Sequence, residues 1–191
     1  MGVNRAGRQR TGNGVSCARG DGDRGVDERT LDIIEERLGR RPRGLREVAV
    51  RDEQGLPMVI RVASIVDGKP FPTLYWLIDP ALSLRIDRDE AAGLIAELQN
   101  QVDAEESLRE SMRRDHRRHI AARNAYLGDV ERAFLDERNL WPALNERGIG
   151  GIADPTRIRC LHTWYAAHLV EANTIGRMLD AHWAAEPPGT A

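Results

Sequence analysis

The hydrophobic pattern divides the chain into a featureless start, a short alternating section and a long helical section. Residues 1–26 are rich in Gly, Arg, Asn and Asp and carry almost no large apolar side chains. Such a segment cannot bury enough surface to offset its ordering entropy, and a flexible arm is predicted there. Leu31, Ile34 and Leu38 then recur at helical spacing, with Gly39 as a stop. Leu45 to Arg51 and Met58 to Ile65 alternate or run apolar with β-branched residues, separated by a polar stretch ending in Gly55. Asp67-Gly68 marks another turn, and Pro70-Phe71-Pro72 leads in extended form to a third strand over Thr73 to Ile78. Leu74, Trp76 and Ile78 are expected on one face of that strand, Tyr75 and Leu77 on the other. A three-stranded antiparallel meander is the simplest construction, with one face needing cover.

From Asp79-Pro80 onward the period is helical. Ala91, Leu94, Ile95, Leu98 and Val102 form one stripe, continued by Leu108, Met112, Ile120 and Leu127. Gly128-Asp129 breaks the chain and starts a short helix with Val130, Ala133 and Phe134 expected inward. The last helix is expected to begin near Pro155 behind the cap Asp154. Ile158, Leu161, Tyr165, Leu169 and Ala172 would form its buried stripe. The pattern points to an α+β fold class: a small antiparallel meander of about three strands packed against a mainly helical C-terminal half. The predicted domain spans residues 27–183, followed by a frayed tail over 184–191.

Composition narrows the classes. With 191 residues, 41% hydrophobic and 30% charged, the chain suits one domain with a substantial core. A formal net charge of -2 makes nucleic acid an unlikely partner. Lys69 is the only lysine, so the arginines look like a compositional bias rather than selected chemistry. Two cysteines, Cys17 and Cys160, make no disulfide framework. The start lacks a signal-peptide core and no run reaches membrane-helix length, so a cytoplasmic protein without membrane contact is expected.

The candidate chemistry is sparse. Arg40, Arg41 and Arg43 surround Pro42 between Gly39 and Gly44, either as an anion-binding turn or as a solvated connection. His116 lies on a helical stripe with His119 one turn along; such a pair can ligate a metal, but a hydrogen-bonded place at a core edge is the plainer reading. Gly148-Ile149-Gly150-Gly151 feeding a helix start could cradle an anion, with Arg157 and Arg159 one turn in. Against this, no phosphate-loop lysine is present and Asp154 would repel an anion. On a regular helix from Pro155, His162 and His168 flank the buried stripe and Cys160 points away from His162. Those three then cannot share a metal, and no metal or other cofactor is expected. Cys160 reads as a small packed hydrophobe, with a catalytic thiol as the sharper alternative.

Leu38-Gly39-Arg40 with Pro42-Arg43-Gly44, Asp67 through Tyr75, and Arg157 through His162 with Ala167-His168 together resemble the bacterial family called domain of unknown function 501. The resemblance spans most of Leu38 to Leu179. It implies an uncharacterised cytoplasmic protein, often encoded near cell-division initiator and exopolyphosphatase genes, with no established activity. Relatives often carry cysteines where this chain has Asp52-Glu53-Gln54-Gly55 and Asp79; a metal or cluster bound by them would have no counterpart here. The segment between His168 and Asn173 is shorter than in relatives, which implies a more continuous helix. Two functional classes follow. One is a non-enzymatic interaction or regulatory module with a protein partner, linked through its relatives to cell division. The other is binding or catalysis on a phosphorylated or other anionic small molecule. Its pocket would hold Arg40, Arg43, Arg157, Arg159, His162 and His168, with Thr73, His116 and Cys160 as secondary candidates.

Overall fold

A computed structural model of the chain describes residues 26–185. The arm expected over 1–26, including Cys17, lies outside these residues apart from Val26, as does the tail beyond Ala185. Val26 is itself buried against Ile34, Ile60, Val62 and Ile78, so the core begins one residue earlier than the pattern implied. Asp27 opens the first helix, α1 (Glu28–Leu38), by accepting from the Thr30 amide at 2.9 Å, and Gly39 closes it.

The alternating section folds into the meander. Strands β1 (Leu45–Arg51), β2 (Pro57–Val62) and β5 (Tyr75–Leu77) pair antiparallel in the order β1-β2-β5. Between β2 and β5 the chain makes a small separate hairpin, β3 (Ile65–Val66) with β4 (Lys69–Pro70). Both faces of the sheet are covered. Ile60, Val62, Trp76 and Ile78 pack against α1, while Val59, Tyr75 and Leu77 face the helical half. The alternation expected for the third strand therefore holds from Tyr75 to Ile78. Leu74 departs from it and joins the helical core, because its carbonyl still pairs with Val62 but the residue precedes the strand.

Eight helices are described, and no helix among these residues is long and apolar enough to cross a membrane. Asp79 caps α2 (Pro80–Ala92) through the Leu82 amide at 2.8 Å, with Pro80 in the first turn. Gly93, at φ 96°, closes α2 and turns the chain straight into α3 (Leu94–Ala104). The long α4 (Glu106–Ala125) is followed by the short α5 (Asp129–Glu137) and α6 (Trp141–Asn145). In α5 the inward residue is Leu135, fully buried, while Val130 is 84% exposed and Ala133 also faces solvent. The expected inward face was rotated because the short helix packs through its C-terminal half onto Leu127 and Leu144.

The last part departs most from expectation. Asp154 does not cap a helix. It folds back onto the Thr156 amide (2.9 Å) and hydroxyl (2.7 Å), and the chain stays irregular until α7 (Leu161–Val170). Helix α7 is the centre of the fold, packing on β1, β5 and α2. Leu161, Trp164, Tyr165, Ala166 and Ala167 are all buried, leaving no polar face of ordinary width. Leu169 is only half-buried and Ala172 is exposed. The chain does not run on as one helix, either. Glu171 is extended (φ -145°, ψ 119°), and α8 (Thr174–Ala185) starts afresh against α7 and α4.

Candidate functional site

The irregular stretch before α7 gives Cys160 its position. As the cap residue it is extended (φ -154°, ψ 121°) rather than helical, so its side chain and that of His162, two residues on, meet. Cys160 Sγ lies 3.7 Å from His162 Nδ1. The expectation that these two point apart assumed a helix running from Pro155, and it fails because the helix starts six residues later. Helix α2 closes the cluster. Glu90 Oε1 accepts from the Leu161 amide at 2.6 Å, capping α7 from 71 residues away, and stands 3.5 Å from His162 Nδ1. On the far side of the ring, Nε2 faces the Ser83 carbonyl at 3.2 Å and Asp87 Oδ1 at 3.4 Å. Thr163 ties the turn by donating to the Cys160 carbonyl at 3.0 Å.

The electrostatics follow from this shell. Contact with Cys160 is the largest influence on His162, with the Glu90 carboxylate and the Ser83 carbonyl adding to it; together they outweigh burial and push the imidazole up to about 9. Two carboxylates and a thiol around one ring make a point where positive charge is favoured. The ligand atoms of Glu90, Cys160 and His162 all lie within 4.8 Å of one another, and the three side chains are half-buried.

His162 also borders a cavity of about 200 Å³ lined by Leu38, Thr73, Tyr75, Trp76, Leu77 and Thr163. Its walls come from the end of α1, from β5 and its approach, and from the first turn of α7. The Arg40 guanidinium rests on the Trp76 ring, 5.5 Å from its centre. Of the secondary candidates, Thr73 and Cys160 therefore belong to this region.

The remaining expected residues are distributed elsewhere. Arg43 pairs with Asp67 at 2.7 Å, both exposed, and lines a different groove of about 360 Å³ with Arg41 and Arg46. Arg157 reaches Asp103 (3.5 Å) and Asp154 (3.9 Å), and Arg159 is exposed. His168, near the other end of α7, contacts Asp180 at 2.9 Å and accepts from the Asn173 amide. The six-residue anion pocket is thus not assembled: its members face separate environments, and most already have acidic neighbours. In the glycine loop the Gly148 amide donates to the Ile152 carbonyl, Gly151 to the Gly148 carbonyl and Ile152 to the Ile149 carbonyl. A side chain at Gly148 would meet His116 Nδ1 at 1.7 Å, and that nitrogen accepts from the Ile149 amide at 2.9 Å.

His116 is instead part of a buried polar row on α4 with Asp115, His119 and Arg123. Burial is the chief cause of low basicity here, holding His116 to about 4 and His119 to about 3. His119 packs edge-on to Tyr75 and His116 edge-on to Trp164. Arg123, fully buried, donates to the carbonyls of Pro72 (2.7 Å), Leu144 and Arg147 (2.8 Å). Its position was readable, since 112, 116, 119 and 123 continue one stripe at helical spacing. Glu90, Asp87 and Ser83 left no local signal near Cys160, because only the packing of α2 on α7 brings them there.

A family model described as a protein of unknown function, DUF501, matches residues 48–181. The chain belongs to this DUF501 family. No curated protein and no solved structure matches it. The DUF501 region contains the whole Glu90, Cys160 and His162 cluster and the buried row on α4, whereas Arg40, Arg43 and α1 precede it. The cluster and most of the cavity wall are therefore built by the DUF501 region itself, with Leu38 supplied by the segment before it, as is the Arg40 that rests on Trp76.

Proposed function

We propose that this chain is a small-molecule-binding protein whose ligand has an apolar body and a carboxylate head. The observation that carries this reading is the cavity beside His162. Leu38, Tyr75, Trp76 and Leu77 offer apolar walls, and Thr73 and Thr163 offer hydroxyls. Arg40 on Trp76 supplies positive charge for the head group. Sites for drug-sized ligands run to about 300–1,000 Å³, so a cavity of about 200 Å³ suits something smaller. Binding fits a regulatory role in which occupancy is the signal. A protein-docking role has less support, since the exposed large apolar residues Leu56, Leu84, Tyr126, Val130 and Val170 come from five separate segments. Tyr126 is also covered by the Arg61 guanidinium, 3.9 Å from its ring.

Thermal unfolding of the full chain with hexanoate, 1-hexanol or sodium chloride at matched ionic strength tests the reading. Hexanoate should raise the melting temperature most, through preferential binding to the folded state. Arg40→Ala should bring hexanoate down to the level of 1-hexanol. Equal shifts from hexanoate and chloride would overturn the proposal.

A further inference from the structure

We propose that Glu90, Cys160 and His162 form a zinc site with three protein ligands and a fourth position open. This deepens the small-molecule reading, on which it rests only for what the open position would face.

Two of the three ligand separations match a tetrahedral site as they stand, and the third lies within 4.8 Å. Zinc bonds of about 2.3 Å to sulfur and about 2.0–2.2 Å to nitrogen or oxygen, at tetrahedral angles, put a sulfur and a nitrogen ligand about 3.6 Å apart and a nitrogen and an oxygen about 3.4 Å apart. Cys160 Sγ and His162 Nδ1 are 3.7 Å apart, and His162 Nδ1 and Glu90 Oε1 are 3.5 Å apart. The donor set of thiolate, imidazole and carboxylate matches the borderline softness of zinc better than that of magnesium or calcium, which take oxygen ligands.

The surrounding groups hold the ligands in place. A metal-bound histidine usually donates its other ring N–H to a carbonyl or carboxylate, and His162 Nε2 faces both the Ser83 carbonyl and Asp87. Glu90 is anchored by the Leu161 amide, and the Thr163 hydroxyl holds the Cys160 carbonyl. The ligands come from two elements fixed by the packing of α2 on α7, so little ordering remains to be done on binding. Glu90 and the nearby Asp87 also give the cluster the negative charge a divalent cation needs. A three-ligand zinc with an open position is the composition of reactive rather than closed structural sites, and one of the three ligands, His162, also borders the cavity.

The full chain is the test object, with Cys17→Ser throughout so that any sulfur signal comes from Cys160. Metal-depleted protein is titrated with Co²⁺ and followed by absorption. The expected result is saturation at one Co²⁺ per chain, with a thiolate-to-cobalt charge-transfer band and strong visible bands of tetrahedral type. Zinc should displace the cobalt stoichiometrically. Cys160→Ser should abolish the charge-transfer band, and His162→Gln and Glu90→Gln should each weaken binding by at least tenfold. His168→Gln, at the other end of α7, should keep the band. No charge-transfer band in the parent chain, or a band that survives Cys160→Ser, would overturn the proposal. The parent titration decides the matter even where a variant fails to fold. No carboxylate is present in it, so its failure leaves the hexanoate test standing, and a failed hexanoate test leaves the cobalt result standing.

Discussion

At the scale of single residues, the buried row on α4 sets the chain's response to acid. His116 Nδ1 accepts from Ile149, which places the ring proton on Nε2, an atom without a partner among the described residues. His119 is likewise held neutral by burial, with Arg123 and His116 as further causes. Unfolded, both rings titrate near 6.5; folded, they titrate at about 4 and about 3. Above 6.5 neither His116 nor His119 takes a proton in either state, and these two rings give no pH dependence there. As pH falls below 6.5 only the unfolded chain is protonated, so stability is lost progressively until the folded values are reached. Each histidine should contribute a slope of about 1.4 kcal/mol per pH unit in that window. Urea midpoints measured between about pH 7 and about pH 5 should drop steeply, and His119→Phe should take away about half of the slope. A midpoint independent of pH would show that the rings are not neutral inside.

Arg123 makes a second prediction at this scale. Its donors satisfy three carbonyls from two segments far apart in sequence, and burial lowers its guanidinium to about 10. Arg123→Met fills the volume but leaves those carbonyls without donors, each a loss of about 1–3 kcal/mol. A destabilisation of about 3–5 kcal/mol is expected by chemical denaturation. A loss below about 1 kcal/mol would mean that water replaces the guanidinium.

At the scale of elements, α7 and α8 are capped from other helices. Asp115 on α4 accepts from the Thr174 amide (2.7 Å) and hydroxyl (2.6 Å), so α8 begins where α4 provides a carboxylate. Asn173 adds a bond to the Gly176 amide, and α8 returns Asp180 to Tyr165 and His168 on α7. Asp115→Ala should therefore loosen α8 selectively. Hydrogen exchange should rise in the first turn of α8 well before it rises in α4, with about 1–3 kcal/mol lost overall. Uniform acceleration across both helices would contradict that assignment. Glu90 plays the same part for α7, which is why Asp154 and Pro155, a local signal for a helix start, do not begin one.

At the scale of the whole molecule, the sheet joins two apolar clusters. Val59 belongs to the core with α7, and its neighbours Ile60 and Val62 to the core with α1. With β2 shared, the two clusters should unfold together. Far-ultraviolet circular dichroism and tryptophan fluorescence, the latter reporting four tryptophans of which Trp76 and Trp164 lie on opposite sides of the sheet, should give coincident transitions. Leu161→Ala, at a fully buried site on α7, should lower stability by about 2–5 kcal/mol without separating them. Distinct midpoints for the two probes would show that the α1 side is an independent unit.

What the sequence alone determined was whatever a few neighbouring residues decide. The period-two runs from Leu45 to Ile78 specified the meander, and Gly39, Asp79-Pro80 and Gly128-Asp129 marked helix ends because cap, stop and first turn are adjacent in the chain. Leu98, Leu161 and Tyr165 were legible as core from spacing. The tertiary structure decided the start of α7, since its cap comes from Glu90 and Asp154 is already engaged with Thr156. It likewise decided the meeting of Cys160 and His162, which a helix from Pro155 would have kept apart. The separation of Arg43 from His162 and the burial of Arg123 depend on packing as well. Glu90 lies 71 residues from Leu161, and the carbonyls that Arg123 serves lie 21 to 51 residues from it; a side chain's charge and spacing do not say which distant element will come to cover it.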